Sequence, residues 1–296
     1  SRMKSRAGIA AAAVLLCACT ARAQDAALTQ PYSEADCPPC AEWNEPSRPI
    51  HLFGNTYYVG TRGLASVLIA SPAGHVLIDG GLPDTAPLIL RNIEALGFDP
   101  ADVEIILNSH EHYDHAGGLA ALQQATGARV LASPASAPVL RSGRSAPDDP
   151  QHDVALPMPP VARVDIVQAG EVVRVGPLAL TMHLTGGHTP GGTTWSWRSC
   201  EGERCLDFVY ADSQTPISQD GFRFTDHPEA VAAFRAGHAR LEQLPCDILI
   251  TPHPGASRMW ERLAGGQDGL VDSTACRSYA ANARQQLERR LERERQ

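Results

Sequence analysis

The sequence lacks three features that would point to other classes of protein. Basic residues are outnumbered, with 25 Lys and Arg against 33 Asp and Glu and a formal net charge of −8. Because nucleic-acid binding needs clustered Lys and Arg, this balance argues against a nucleic-acid partner. No apolar run beyond residue 23 is long enough to cross a bilayer, and no linker separates two domains. With 43% apolar residues over 296 positions, the composition predicts one sizeable globular domain.

Residues 1–23 are predicted to be a signal peptide. A basic start (1–6) precedes an apolar run (8–19), and small residues offer a cleavage site after Ala23. The apolar run is too short for a comfortable membrane span. We therefore expect a periplasmic protein with no membrane attachment after cleavage. A lipoprotein signal ending at Cys19 is the alternative.

Cysteine usage fits export. Six cysteines follow the signal segment: Cys37, Cys40, Cys200, Cys205, Cys246 and Cys276. An even number in an exported chain predicts disulfides, although the sequence alone does not fix their pairing. Short loops favour Cys37–Cys40 and Cys200–Cys205, which leaves Cys246–Cys276. The alternative is a zinc site that uses the four cysteines of the two short pairs.

The rest of the chain predicts an α/β domain. Residues 24–49 are polar and proline-rich and are expected to form an extended arm ahead of a single domain over 50–296. Strands are predicted at "TYYVG", "LASVLIAS", "HVLIDGG", "VEIILNS", "ARVLAS", "VVRVG", "LALTMHLT", "GTTWSWRS", "DFVYADS" and "DILITPH". Helices are predicted over 85–98, 114–127, 228–243 and 274–292, and a long loop over 134–160. Both halves of the chain contain predicted strands and helices in succession. This order predicts two packed sheets with helices on the outside.

The stretch "NSHEHYDHAGG" (108–118) carries the strongest chemical signal. His110 and His112 are two apart, so on an extended segment both imidazoles lie on the same side. Asp114 and His115 follow where the chain turns into a helix. Imidazole and carboxylate groups suit zinc, and each ion needs about three or four ligands. Further ligands must therefore come from elsewhere.

Two other histidines stand where sites tend to be built, in loops at the ends of strands. His188 lies in the glycine-rich turn "GGHTPGG", and His253 lies in "TPHPG". The remaining histidines are assigned to ordinary surface or core roles: His51, His75, His152, His183, His227 and His238.

These motifs together resemble the metallo-β-lactamase superfamily. The residues that carry the resemblance are "HEHYDH", "LIDGG" (77–81), "GHTPGG" and His253. "GNTYYVGT", "VYADS", "TPHPGAS", "CRSYAANARQQLE", the export signal and the Cys246/Cys276 pair further resemble its subclass B3, over about residues 42–292. The resemblance implies an αββα sandwich of two mixed sheets, with two metal ions at one sheet edge.

The resemblance also implies a ligand set and an activity. The first zinc would be held by His110, His112 and His188, and the second by Asp114, His115 and His253. Ser213 stands where this branch has a serine in place of a cysteine ligand, and with Thr215 it would meet the substrate carboxylate. The implied activity is hydrolysis of the β-lactam amide of penicillins, cephalosporins and carbapenems by a metal-activated hydroxide, which confers antibiotic resistance. Asp114 would hydrogen-bond the nucleophile, and we expect a monomer whose partner is a small-molecule antibiotic.

Several residues keep two interpretations. Glu111 points away from its histidine neighbours and is expected not to ligate, as either a solvated carboxylate or one that acts behind the ligands. Asp212 is expected to act behind a ligand, although thioester-cleaving relatives use an aspartate near this position to bridge the metals. Asp79 either orients the ligand loop or is a plain turn residue. Trp43 and Gln151 are weaker candidates for substrate contact.

Two rival functions also remain. One is another hydrolase of the same superfamily, a lactonase or thioesterase, because one fold hosts many chemistries. Export argues against a glutathione thioester, which is a cytosolic substrate. The other is a periplasmic protein that binds zinc without catalysis.

Overall fold

Two mixed β-sheets form the centre of the molecule. The computed structural model describes residues 26–296, and the predicted signal peptide (1–23) lies outside them. The first sheet has the order β1–β2–β3–β4–β5–β6–β7, with β1 (Ile50–Phe53), β2 (Thr56–Tyr58), β3 (Val67–Ile69), β4 (His75–Ile78), β5 (Val103–Leu107), β6 (Arg129–Ala132) and β7 (Val164–Ile166). Strands β1 to β4 pair antiparallel, and β4 to β7 pair parallel.

The second sheet has the order β12–β11–β10–β9–β8. Its strands are β8 (Val172–Val175), β9 (Leu178–Leu184), β10 (Thr193–Glu201), β11 (Arg204–Tyr210) and β12 (Ile248–Ile250). Neighbours pair antiparallel except β11 and β12, which run parallel.

Helices lie on both outer faces of the sheets and at their ends. The helices named here are α1 (Cys40–Trp43), α2 (Ala86–Ala95), α3 (Tyr113–Ala116), α4 (Leu119–Thr126), α5 (Ser136–Ser142), α6 (Pro228–Gln243), α7 (Met259–Leu263) and α8 (Ala275–Glu294). Helices α2, α4 and α5 pack on the first sheet, while α6 and α8 pack against each other and on the second. The predicted αββα sandwich is thereby confirmed. Within residues 26–296, no helix combines the length and apolar character that crossing a membrane requires.

Strand β5 shows how the sequence builds these layers. Ile105 and Leu107 belong to the core between the sheets, whereas Ile106 lies between them in sequence and packs in the helix layer. Side chains alternate faces along a strand, so an uninterrupted apolar run suits a strand buried on both sides. The ends of such a rigid strand are well placed to carry a site.

Two helical segments differ from the sequence prediction. The helix predicted over 114–127 is divided into α3 and α4 at Gly117–Gly118. A Cβ on Gly118 would lie 2.2 Å from the backbone oxygen of Gly80, so this close approach admits only glycine. The segment 134–160, predicted as a loop, contains α5, whose apolar residues pack against the first sheet.

The N-terminal segment packs on the domain. It carries helix α1, and its Cys37 and Cys40 are buried with Leu64 and Leu82. Tyr32 packs edge-on against Tyr113, with ring centroids 5.4 Å apart. These contacts bring the segment to the rim of the histidine-rich edge.

The cysteines form disulfides, as predicted. The bonds are Cys37–Cys40, Cys200–Cys205 and Cys246–Cys276. Because the two short pairs are bonded, their thiolates are not available for the alternative four-cysteine zinc site. Disulfides of this kind are typical of exported proteins.

Candidate metal centre

The site residues meet at one edge of the sandwich, where strand ends from both sheets come together. The segment after β5 supplies His110, His112, Asp114 and His115, the β9–β10 turn supplies His188, and the segment after β12 supplies His253. The structure thus brings together six side chains from three distant parts of the chain. All of them are buried except His253, which is partly exposed.

Three histidines form the first group. Nitrogen atoms of His110, His112 and His188 lie within 4.8 Å of one another, and the ring centroids are 4.8 to 5.1 Å apart. Burial, followed by the neighbouring histidines, lowers the pKa of His110 well below its usual value. Burial and then His112 lower the pKa of His188 to about 3. Both rings are therefore neutral at neutral pH and keep a lone pair for a cation.

Each of these imidazoles is oriented by a hydrogen bond at its other nitrogen. The pairs are His110 Nδ1 with Asp212 Oδ1 at 2.7 Å, His112 Nε2 with Asp149 Oδ2 at 2.9 Å, and His188 Nδ1 with the Thr215 carbonyl oxygen at 2.8 Å. Fixing one nitrogen sets the tautomer and aims the other, as in protein metal sites. Among the described residues, His110 Nε2 is buried and has no hydrogen-bond partner. A buried unpaired nitrogen is unfavourable unless something else binds it, so this donor set fits a metal ion.

The second group adjoins the first. Asp114 Oδ2 lies 3.1 Å from both His115 Nε2 and His253 Nε2, and these two nitrogens are 3.2 Å apart. Burial alone would raise the pKa of Asp114, but His115 and His253 lower it well below its usual value. An ionised carboxylate and two imidazole nitrogens around one point are a ligand set suited to a divalent cation. His110 is close to Asp114 and His115 as well, so the two groups share a border.

Asp79 anchors the backbone that leads into the histidine string. Its Oδ1 accepts from the Ser109 backbone N–H at 2.6 Å and from Asn108 Nδ2 at 3.1 Å. Its Oδ2 accepts from Ser109 Oγ and from the Tyr210 hydroxyl, both at 2.7 Å. The residue is fully buried and has a φ of 65°. Asp79 thus lies behind the ligand segment and contacts residues that precede His110.

Glu111 is buried, so the expectation of a solvated carboxylate is wrong. Only 3% of the residue is exposed, and burial raises the pKa of its carboxyl. It accepts hydrogen bonds from Ser136, Thr189 and Gly191. Because its partners are 25 to 80 residues away in the chain, no local pattern could have revealed them.

Asp212 lies behind His110. Besides the bond to His110, its backbone N–H donates to Thr194 Oγ1 at 3.1 Å, and its carbonyl accepts from the Tyr279 hydroxyl at 2.9 Å. Burial raises the pKa of the carboxyl well above its usual value. Sequence reasoning assigned no site role to Tyr279, although it lies in the stretch "CRSYAANARQQLE", and it did not single out Asp149 beside His112.

A cavity of about 530 Å³ opens onto both groups. Trp43, Gln151, Ser213 and Thr215 all line it, so the structure brings the predicted substrate-contact residues to the metal groups. One wall is formed by helix α8, which contributes Tyr279, Asn282, Ala283 and Gln286. This stretch carries part of the family resemblance, but sequence reasoning gave it no role in the site. Val154 and Ile217 line the cavity and are 57% and 51% exposed, so its rim is partly apolar.

Comparison with solved structures gives close matches over most of the chain. The Rm3 metallo-beta-lactamase is 52% identical with a TM-score of 0.85, and the match covers 90% of this chain and 100% of that one. MEM-A1, a subclass B3 metallo-beta-lactamase isolated from a soil metagenome library, is 48% identical with a TM-score of 0.83, covering 85% of this chain and 98% of that one.

Similarity to curated proteins is more limited. Hydroxyacylglutathione hydrolase of Anaeromyxobacter dehalogenans is 35% identical over 130 residues, which is 44% of this chain and 40% of that relative. The chain thus spans less than half the length of this curated relative. The family model described as metallo-beta-lactamase superfamily matches residues 59–261. The chain therefore belongs to the metallo-beta-lactamase superfamily.

Proposed function

We propose that the protein is a zinc-dependent hydrolase that opens the β-lactam ring of penicillins, cephalosporins and carbapenems. The observation that carries the proposal is the meeting of six ligand-type side chains in two adjoining groups beneath one cavity. The chain is 52% identical to the Rm3 metallo-beta-lactamase in a match that covers 90% of this chain. This identity supports the lactamase assignment over other activities of the superfamily.

The proposed ligand set follows the two groups. His110, His112 and His188 would hold one zinc ion, and Asp114, His115 and His253 the other. When bound, zinc lowers the pKa of a water toward neutrality and polarises a carbonyl oxygen. Three neutral imidazoles leave the charge of the first ion undiminished, whereas the Asp114 carboxylate reduces that of the second.

The surrounding residues hold the ligands in position. Asp212, Asp149 and the Thr215 carbonyl each accept a hydrogen bond from the N–H of one imidazole and so fix the tautomer of that histidine. The ionised carboxylate of Asp114 can accept a hydrogen bond from the attacking water and orient it. No side-chain nucleophile is required, because water can attack the carbonyl carbon directly.

Substrate orientation is assigned to hydroxyl groups. β-Lactam antibiotics carry a carboxylate beside the ring nitrogen, and Ser213 and Thr215 face the cavity where it could bind. No lysine or arginine lines this cavity in the part of the chain that the structure describes. Hydroxyl donors would therefore meet the carboxylate, while Trp43 and Gln151 flank the groove.

The position of Asp212 favours the lactamase assignment over a thioesterase. A bridging aspartate would face both groups, but Asp212 Oδ1 is bound to His110 Nδ1. Its other oxygen lies close to Gly192, where an added Cβ would be 2.2 Å away. The carboxylate is thereby held on the far side of the His110 ring from the cavity.

A hydrolysis panel tests the proposal. Purified protein loaded with zinc is assayed on imipenem, nitrocefin, a homoserine lactone and an acyl-glutathione. We expect turnover of the β-lactams. Turnover of the lactone or the thioester with none of the β-lactams would refute the assignment.

A zinc-storing protein would also bind two ions. Removing the metal distinguishes it from an enzyme, because only an enzyme has activity to lose. EDTA should abolish hydrolysis, and added zinc should restore it. Ion binding without hydrolysis of any substrate would favour storage. We also propose that the protein is exported to the periplasm, which cell fractionation tests. We further propose that it is a monomer, which light scattering tests.

A further inference from the structure

Glu111 lies between two metal-binding histidines in sequence but faces a different part of the molecule. Its Oε2 accepts from Ser136 Oγ at 2.7 Å and from Thr189 Oγ1 at 2.8 Å. Its Oε1 accepts from the Gly191 backbone N–H at 3.1 Å. One buried carboxylate thus joins the histidine string, the β9–β10 turn and the start of α5.

Two of the three donors follow His188 closely in the chain. Thr189 follows it directly, and Gly191 is three positions away. Hydrogen bonds to a carboxylate are stronger than those between neutral groups, and their strength grows in a buried setting. The carboxylate therefore restrains the turn on the C-terminal side of His188, while the Thr215 carbonyl restrains the ring itself.

Gly191 shows how closely this junction is packed. A Cβ at this position would lie 2.1 Å from Ser136 Oγ, so only glycine brings the turn this near. Ser133 Oγ donates to the Gly191 carbonyl at 2.7 Å, and Ser136 Oγ, whose proton goes to Glu111, lies 3.1 Å from the same oxygen. The turn is thus bound by both its N–H and its C=O.

We propose that Glu111 is a positioning residue that holds His188 at the correct distance from His110 and His112, and so sets the affinity of the three-histidine group for its ion. This inference rests on the proposed metal assignment but does not depend on which substrate is cleaved. The other acidic residue of the string, Asp114, faces the opposite way and belongs to the second group.

Two hydrogen bonds at the base of the turn do not involve Glu111. The Thr193 backbone N–H donates to the Ser109 carbonyl at 2.6 Å, and Thr193 Oγ1 donates to the Asn108 carbonyl at 2.6 Å. These links join the same two segments at their bases without Glu111. The turn would therefore stay attached without Glu111 but lose the restraint on Thr189 and Gly191, the residues that follow His188.

The test compares Glu111→Ala, Glu111→Gln and the control Glu104→Ala in the zinc-free protein. Glu104 is an exposed glutamate on β5, the strand that leads into the string. Zinc affinity is measured by competition with a chromophoric chelator. We expect Glu111→Ala to lower the affinity for one of the two zinc ions, the one held by the three-histidine group, by about 10- to 100-fold. This is the range typical of residues that orient metal ligands. Glu111→Gln should recover part of this loss, and Glu104→Ala should match the wild type.

A double-mutant cycle and a spectroscopic measurement separate positioning from general stability. If Glu111 acts through Thr189, adding Thr189→Val to Glu111→Ala should weaken zinc binding little further. In the cobalt-substituted protein, the visible spectrum of the ion whose binding is weakened should change. Unchanged affinity for both ions, equal weakening of both, or an unchanged cobalt spectrum would overturn the proposal. None of these readouts requires β-lactam hydrolysis, so failure of the functional assignment would be seen separately in the hydrolysis panel.

Discussion

Replacing Asp79 tests whether this residue supports the ligand segment, because its effect on stability can be measured without any metal. The residue contacts no ligand-type nitrogen, yet its carboxylate accepts four hydrogen bonds from three residues around the start of the histidine string. Asp79→Ala removes both acceptor oxygens, and with them all four hydrogen bonds, and leaves the donors buried. Asp79→Asn keeps the size and one oxygen.

The magnitude follows from the donors. A buried donor left without a partner costs about 1 to 3 kcal/mol. The Tyr210 hydroxyl can turn toward the Ala65 carbonyl 3.3 Å away, so the other three donors at the low end of this range give about 3 kcal/mol. Alanine at a φ of 65° adds roughly 1 kcal/mol, because a left-handed backbone is unfavourable for residues other than Gly, Asn and Asp. The sum, about 4 kcal/mol, approaches the lower end of the stability of a typical domain, about 5 to 15 kcal/mol.

The asparagine variant should be much milder. Its oxygen can keep the bonds from the Ser109 backbone and from Asn108. Its amide nitrogen would face two hydroxyl groups, and the Tyr210 hydroxyl can turn toward the Ala65 carbonyl 3.3 Å away. We expect a loss of about 1 to 2 kcal/mol for Asp79→Asn.

Urea unfolding of the zinc-free protein measures both values without any contribution from the metal. Asp165→Ala is the control, because this exposed carboxylate forms a surface ion pair with Arg129 and such pairs contribute about 0 to 1 kcal/mol. A loss below about 1 kcal/mol for Asp79→Ala would refute the reasoning. It would mean that water replaces the carboxylate without penalty and that Asp79 is a plain turn residue.

Further predictions concern metal binding, pH and cross-links. His188→Ala and Asp114→Ala should each lower the zinc content and reduce β-lactam turnover by orders of magnitude, and wild-type turnover in Asp114→Ala would contradict the assigned second site. Burial, and then two nearby arginines, lowers the pKa of His238 from 6.5 to about 4. The neutral ring therefore stabilises the fold above the unfolded pKa, and this contribution should be lost as the pH falls from 6.5 toward 4; His238→Phe should unfold with a shallower pH dependence, and an identical pH profile would count against this assignment. The Cys246–Cys276 bond closes a loop of 30 residues, so the double alanine variant should lose about 3 to 4 kcal/mol in urea unfolding, and no measurable loss would contradict the chain-entropy reasoning.

The histidine string shows what local sequence can decide. The two-residue spacing of His110 and His112 follows from the backbone of an extended segment, and Asp114 and His115 follow from the turn into α3. Those relations depend on neighbours in the chain, and they predicted a metal-binding pattern before any fold was known. The apolar runs of the strands likewise predicted the two-sheet sandwich, because side-chain periodicity is a local property.

Two of the departures from prediction involve contacts between distant segments. The predicted helix over 114–127 breaks because Gly118 must pack against Gly80, a contact that periodicity does not contain. The segment 134–160 has a loop-like composition, yet α5 forms within it because its apolar residues are covered by the first sheet. In both cases tertiary packing overrode the local preference.

The sequence alone determined which residue types could bind metal and that the fold would be an α/β sandwich. Residue spacing alone did not fix which of the eleven histidines meet; the family resemblance implied the set, and the tertiary structure brings His253 to His115 across 138 residues. It also decided that Glu111 is buried and that Asp212 lies behind His110, because the direction of a carboxylate depends on the donors that surround it in the folded chain. Spacing along the backbone is set locally, whereas hydrogen-bond partners are supplied by whichever segments the fold brings near.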